Sequence, residues 1–207
     1  MKTTSEPPSP KSVEASARAR ILDAAYAAFG AKGYEQTSML EIATRAKVSK
    51  RELYALVGAK HDMLVACITE RAGRLRAPTD LPEPHDRESL AQTLTAFGQR
   101  LIREVSDPTV LGVFRLAIAE ADRAPEIAQA LDSIARAAAR KALAAIFERA
   151  ADQGLVSGRS ADMTARFLAL LWGDLMVGLL MRLAGRPTPD EAEQRARAAV
   201  TALLSLH

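Results

Sequence analysis

Apolar residues recur at helical spacing along nearly the whole chain. Ile21, Ala25, Ala28 and Phe29 form one stripe and Gly33 supplies a stop, which predicts a first helix over about residues 16–32. Ser38 opens a short helix with Leu40, Ile42, Ala43 and Ala46 as apolar positions. Ser49 opens another, in which Leu53, Leu56 and Val57 point inward before Gly58 ends it. Each serine is followed three residues later by a glutamate, Glu41 and Glu52, the pattern of a capping box. Two-turn helices are too short to hold themselves together, so the longer first helix must brace both through Ile21 and Phe29. With a tight turn at Lys47-Val48-Ser49, the pair reads as a helix-turn-helix over about residues 38–57. A fourth helix, Lys60 to about Arg76, carries Met63, Leu64, Cys67 and Ile68 inward.

"APTDLPEPHD" (77–86) breaks the periodicity with its prolines and marks a boundary. Beyond it the helices lengthen. Leu90, Leu94, Phe97, Leu101 and Val105 mark a fifth, and Asp107 with Pro108 opens a sixth. Pro125 opens a seventh that runs to Gln153, and an eighth covers about 161–184. "TPDE" (188–191) starts a ninth with a threonine cap, a proline in first position and a glutamate at the third. The expectation is an all-α protein of about nine helices: an N-terminal three-helix reader at 16–77, behind an arm at 1–15, and a larger helical body at 78–207.

Composition narrows the function. The arm is rich in Ser, Thr and Pro and lacks an apolar segment, so it reads as disordered rather than as a secretory signal. The most apolar stretch, "FLALLWGDLMVGLLMRLAG" (167–185), has Asp174 at its middle and Arg182 near its end, which argues against a membrane span. One cysteine, Cys67, excludes an internal disulfide and fits a cytoplasmic protein. Residues 1–77 hold 13 Lys/Arg against 8 Asp/Glu, whereas the whole chain is only +3, so the basic end is the one to meet a polyanion. His61, His85 and His207 are scattered, and no nucleophile–base spacing, phosphate loop or metal-ligand cluster accompanies them. An enzyme is disfavoured, and no metal or cofactor is implied.

The outward face of the second short helix carries Lys50, Arg51, Tyr54 and Ala55, a set suited to phosphates and base edges in a DNA major groove. At this point the chain resembles a known family. "ILDAAYAAFGAKGYEQTSMLEIATRAKVSKRELYALVGAKHDML" (21–64) is similar to the DNA-binding domain of TetR-family bacterial transcriptional regulators. "VFRLAIAEADRAPEIAQALD" and "LLWGDLMVGLL" resemble the AefR-like subgroup. The resemblance implies double-stranded operator DNA as partner. Thr37 would cap the second helix and contact phosphate, and Ser49 would do likewise at the third. Lys50 and Arg51 would reach phosphates or bases, Tyr54 a phosphate, and Lys60 the DNA backbone. Three positions depart from the family pattern: Lys47 and Arg51 stand where glycines are usual, and Val57 where an aromatic is common.

A single reader of this size covers one half-site; two of them one DNA turn apart require a dimer. Ala165, Ala169, Gly173 and Val177 form a small-residue row on the eighth helix, and Ala192, Ala196, Ala199, Val200 and Leu203 form a stripe on the ninth, with Glu191–Arg195 and Glu193–Arg197 as outer-face pairs. Either stripe fits a twofold partner or the protein's own core. The family forms a four-helix bundle there, which implies a homodimer without membrane contact. The resemblance also implies a small-molecule cavity in the body, for which Phe97, Leu101, Phe114, Ile118, Phe147, Trp172 and Met176 are the apolar candidates and Asp174 the polar one. The resulting expectation is a ligand-responsive homodimeric repressor on a palindromic operator, with a helical protein-interaction adaptor as the alternative.

Overall fold

The computed structural model describes residues 10–73, 83–119, 121–122 and 125–205. Among these, every regular element is helical: α1 (Pro10–Lys32), α2 (Met39–Ala46), α3 (Lys50–Val57), α4 (Lys60–Gly73), α5 (Arg87–Val105), α6 (Pro108–Ala119), α7 (Pro125–Ala130), a π-helical segment (Leu131–Arg136), α8 (Ala137–Asp152), α9 (Ser160–Trp172), α10 (Leu175–Leu180) and α11 (Pro189–Leu204). None of them is long and apolar enough to cross a membrane.

The first helix starts at Pro10, earlier than the arm boundary allowed. Proline fits the opening turn of a helix because its φ is preset and its missing N–H is not needed there, so α1 begins at Pro10, and residues 12–15 are exposed. The rest of the arm, and the Pro-rich boundary up to residue 82, lie outside the described residues. The predicted seventh helix is interrupted by the π-helical segment. The predicted eighth breaks at Gly173, whose φ of 44° a side chain would strain, and its second half is the short α10.

Two cores divide the chain, and not at residue 77. The first gathers Ile21, Phe29, Ile42, Leu53 and Met63 from α1–α4, but Val113, Leu116, Ile127 and Leu131 from α6, α7 and the π-helical segment complete it. The second joins α5, α8, α9 and α11 around Leu94, Phe97, Phe147, Phe167, Ala196 and Leu203. The reader is therefore built onto the body by two of the body's own helices, and a displacement of α6 or α7 cannot leave α1 and α4 unmoved.

Several helix ends are closed by arginines from distant elements. Arg20 of α1 donates to Ala46 O at the end of α2 (3.1 Å). Arg195 of α11 donates to Leu171 O and Trp172 O (both 2.7 Å) at the end of α9. Arg115 of α6 donates to Leu179 O (2.7 Å) and Leu180 O (2.9 Å) at the end of α10. The last carbonyls of a helix have no partner within it and carry the negative end of its dipole, so a guanidinium satisfies both needs. The predicted Glu191–Arg195 pair is replaced accordingly. Arg195 turns to α9 and to Asp174 (3.2 Å), while Glu191 accepts from Thr188 N–H (2.8 Å) in a complete capping box.

Candidate nucleic-acid interface

The reading head is assembled by local signals. Ser38 is extended (φ −99°, ψ 147°) and its hydroxyl accepts from Glu41 N–H at 3.1 Å; Ser49 does the same for Glu52 N–H at 3.1 Å. Only the serine half of each predicted box forms. Glu41 instead reaches Lys32 of α1 (2.8 Å) and Arg45 (3.0 Å). The hydrogen bond from Lys32, reinforced by both positive charges, holds the Glu41 carboxyl below the usual carboxylate range. Between the two helices Lys47 is left-handed (φ 56°, ψ 48°), the conformation for which glycine is usual at this turn. A lysine there costs up to about 1 kcal/mol, and in exchange the turn presents an exposed cation.

The faces of α3 separate cleanly. Leu53 and Val57 are buried, while Lys50, Arg51, Tyr54 and Ala55 are exposed, Tyr54 by 44%. Lys50 Nζ lies 6.0 Å from the Tyr54 ring centroid, so the cation and the phenol share one side of the helix. Ser49 is exposed at the helix start. Lys60, at the start of α4, is held in place: its Nζ sits 4.5 Å from the centre of the Tyr34 ring and donates to Glu35 O at 3.3 Å. Tyr34 itself, pushed up in pKa chiefly by burial, remains a neutral platform for that cation.

One expectation is corrected. Thr37 is 2% exposed and donates its hydroxyl to Gly33 O at 2.7 Å, so it buttresses the α1–α2 turn and neither caps α2 nor faces a phosphate. Of the apolar positions of α2, Leu40 is 65% exposed on the outer face, while Ile42, Ala43 and Ala46 are buried. Thr44, Arg45 and Lys47 are exposed as well, and sequence periodicity did not single them out. A test of the Thr37 role follows: Thr37→Val should cost about 1 kcal/mol in denaturant unfolding, because the half-buried Gly33 carbonyl loses its partner. The salt dependence of DNA binding should stay unchanged; a shallower salt slope would restore the phosphate contact.

Comparison with known proteins agrees with this geometry. A family model described as AefR-like transcriptional repressor, C-terminal domain, matches residues 92–206, and one described as bacterial regulatory proteins, tetR family, matches residues 21–67. The chain belongs to the TetR family. Solved structures of similar proteins include one from Mesorhizobium loti assigned to the TetR-family transcriptional regulators (28% identity, 93% of this chain and 97% of that one covered, TM-score 0.76). A TetR transcriptional regulator from Agrobacterium tumefaciens is 25% identical, with 91% and 93% covered and a TM-score of 0.76. The Flavonoid-responsive Regulator FrrA is 26% identical, with 92% and 96% covered and a TM-score of 0.70. The search of curated proteins found no match. This TetR-family chain thus has the fold of a DNA-binding transcriptional regulator.

Behind the head of this TetR-family regulator lies a cavity of about 400 Å³. Of the predicted lining residues, Leu101, Phe114, Trp172 and Met176 border it. Four others do not. Phe97 and Phe147 are packed inside the second core, Ile118 is 63% exposed on α6, and Asp174 is exposed and paired with Arg195. Sequence reasoning confined the cavity to the body, but Tyr26 of α1 and Ile68 of α4 also line it.

The two dimer stripes part ways. Ala192, Ala196, Ala199, Val200 and Leu203 are all buried in the protomer's own core, against α5 and α9, and offer nothing to a second copy. Ala165, Ala169, Gly173 and Val177 are exposed. Leu170 (40% exposed), Met181 (65%) and Leu183 (78%) extend this row along α9, α10 and the turn that follows. Beyond its first turn, the exposed residues of α11 are Gln194, Arg197, Ala198 and Thr201, of which Gln194, Ala198 and Thr201 fall on one side of the helix.

Proposed function

We propose that the chain is a cytoplasmic homodimeric repressor that binds a palindromic operator and releases it when a small molecule occupies the cavity. The observation that carries the reading is the exposed Lys50–Arg51–Tyr54 face on a capped, braced α3. Ser49, Lys50, Arg51 and Tyr54 meet DNA in the major groove, and Lys60, steadied on Tyr34, meets the backbone beside it. The exposed apolar row on α9 and α10, with the small-residue side of α11, is the surface for the twofold mate. Pairing through it sets two heads about 34–36 Å apart, one DNA turn.

Response to a ligand requires that the ligand favour one head arrangement over another. The cavity is suited to this because Tyr26 and Ile68 belong to the head's core and also line its wall. FrrA is by its name a flavonoid-responsive regulator, which supports a small-molecule effector for this chain.

Selection of duplexes from a random pool tests the reading. The expected winner is a palindrome with half-sites one turn apart, bound less tightly as salt rises because contacted phosphates release counterions. Arg51→Ala should change which half-site is enriched, whereas Lys60→Ala should weaken every duplex alike and lower the salt slope by about one. A pool without enrichment at low ionic strength would refute the proposal.

A further inference from the structure

The walls of the cavity are largely apolar, formed by Val113, Phe114, Leu131, Leu168 and Trp172 among others, with Tyr26 also in the lining, and its charged groups are few: Arg136, Arg140 and the single carboxylate Glu104. Both guanidiniums belong to the rim, their side chains 62% and 42% exposed. Arg136 reaches this position through the π-helical segment. In an α-helix, residues five apart stand about 140° apart around the axis, so Leu131 and Arg136 would face different directions. The i→i+5 bonding of a π segment closes a turn over that same spacing and brings both to one wall.

The two arginines share one acidic partner. Asp132 Oδ1 lies 3.1 Å from Arg136 Nη1 and 3.4 Å from Arg140 Nη2, and the Asp132 side chain is itself 53% exposed. A carboxylate oxygen supplied by the chain itself thus lies between the two guanidiniums that line the apolar cavity, on a side chain half exposed to water. We infer that the cavity takes an amphipathic acid: a hydrophobic body seated against Phe114, Leu131 and Trp172, and one anionic group that replaces Asp132 between Arg136 and Arg140. Glu104 opposes an anion in the lining, but the two guanidiniums outnumber it once Asp132 is displaced. The inference rests on the ligand-responsive reading and assigns it a ligand class. A flexible acyl acid and a flat aromatic acid share this chemistry.

Titration calorimetry on the purified protein, with dodecanoate and a naphthoate each compared with its methyl ester, tests the assignment. The acids should bind at least ~tenfold more tightly than their esters, as expected for a charge-assisted contact. The acid that binds better decides between an acyl chain and a ring. Arg136→Gln with Arg140→Gln should abolish the preference for acid while leaving ester binding unchanged, and Asp132→Asn should tighten the acid alone. Retained helicity and operator binding in these variants certify that they are folded. Equal affinity of parent protein for acid and ester overturns the ligand class and leaves an effector cavity standing. A double variant that still prefers the acid overturns the arginine assignment. If none of the compounds binds, the acidic-ligand inference fails, whereas the operator reading is judged separately by the duplex selection.

Discussion

Ala169→Glu should convert the protein to a folded monomer and reduce operator affinity by about a thousandfold or more, toward the level of non-specific binding. Ala169 is exposed within the protomer, so the substitution removes no internal contact and far-UV helicity should match the parent. What it changes is the surface on which the proposed dimer closes. A twofold contact places residues near the axis against their own copies, so one substitution brings two like charges into a largely apolar interface, and Arg166 one turn back on the same helix offsets them only in part. Leu170, Val177 and Met181, now 40%, 56% and 65% exposed, would remain in water in the monomer. The loss of affinity follows from geometry, since each lone head holds a single half-site. Sedimentation of the variant and its binding to the selected operator check both parts. Ala198→Glu on the outward side of α11 should act alike, and Ala151→Glu, exposed at the end of α8, should leave the dimer intact. A dimeric Ala169→Glu that still binds operator would move the interface elsewhere.

The head was legible because its information is local. Ser38 and Ser49 cap helices by bonding amides three residues away, and Ile42, Ala43, Leu53 and Val57 show their inward face within two turns. Lys47 could be read as a strained position for the same reason. The body resisted because its information is not local. A stripe of alanines on α11 looks identical whether it covers α5 of the same chain or a second copy, and only the tertiary arrangement assigns it to the core. The break at Gly173 interrupts an apolar run that periodicity carries straight through; it is held open by Arg195, which lies more than twenty residues away. The sequence paired Arg195 with Glu191 and singled out neither Arg20 nor Arg115, yet each closes the end of a helix it does not belong to. Among the cavity candidates, Phe97 and Phe147 have the same apolar character as Phe114 and Trp172, and only side-chain direction separates core from wall. Thr37 was misread by one position: Ser38 takes the cap, and Thr37 turns inward to Gly33.

The crossing of α1 and α6 gives the last and most discriminating expectation, because two glycines in one contact should behave in opposite ways. A methyl group added at Gly112 would stand 2.7 Å from Gly30 Cα and 3.1 Å from Gly30 O, closer than carbon atoms approach, and the obstacle is backbone that cannot rotate aside. A methyl group added at Gly30 meets Thr109 at 3.5 Å and beyond, an ordinary contact. Gly112→Ala must therefore push α1 and α6 apart, at a cost of about 1–3 kcal/mol from overpacking, seen as a fall of several degrees in Tm. Gly30→Ala, in the last turn of α1 with room for it, should be neutral or gain less than about 1 kcal/mol from helix propensity. The functional readout follows the same geometry. Helix α1 braces α2 and α3, while α6 lines the cavity through Val110, Val113 and Phe114 and closes the end of α10 through Arg115. A forced separation at Gly112 thus shifts the reading head relative to the body that sets its spacing, and operator affinity should fall. Binding to random duplex at low salt should persist, because the exposed face of α3 is untouched. If Gly112→Ala melts with the parent and binds operator equally well, α1 and α6 are not in rigid contact and the cavity has no direct mechanical route to the head.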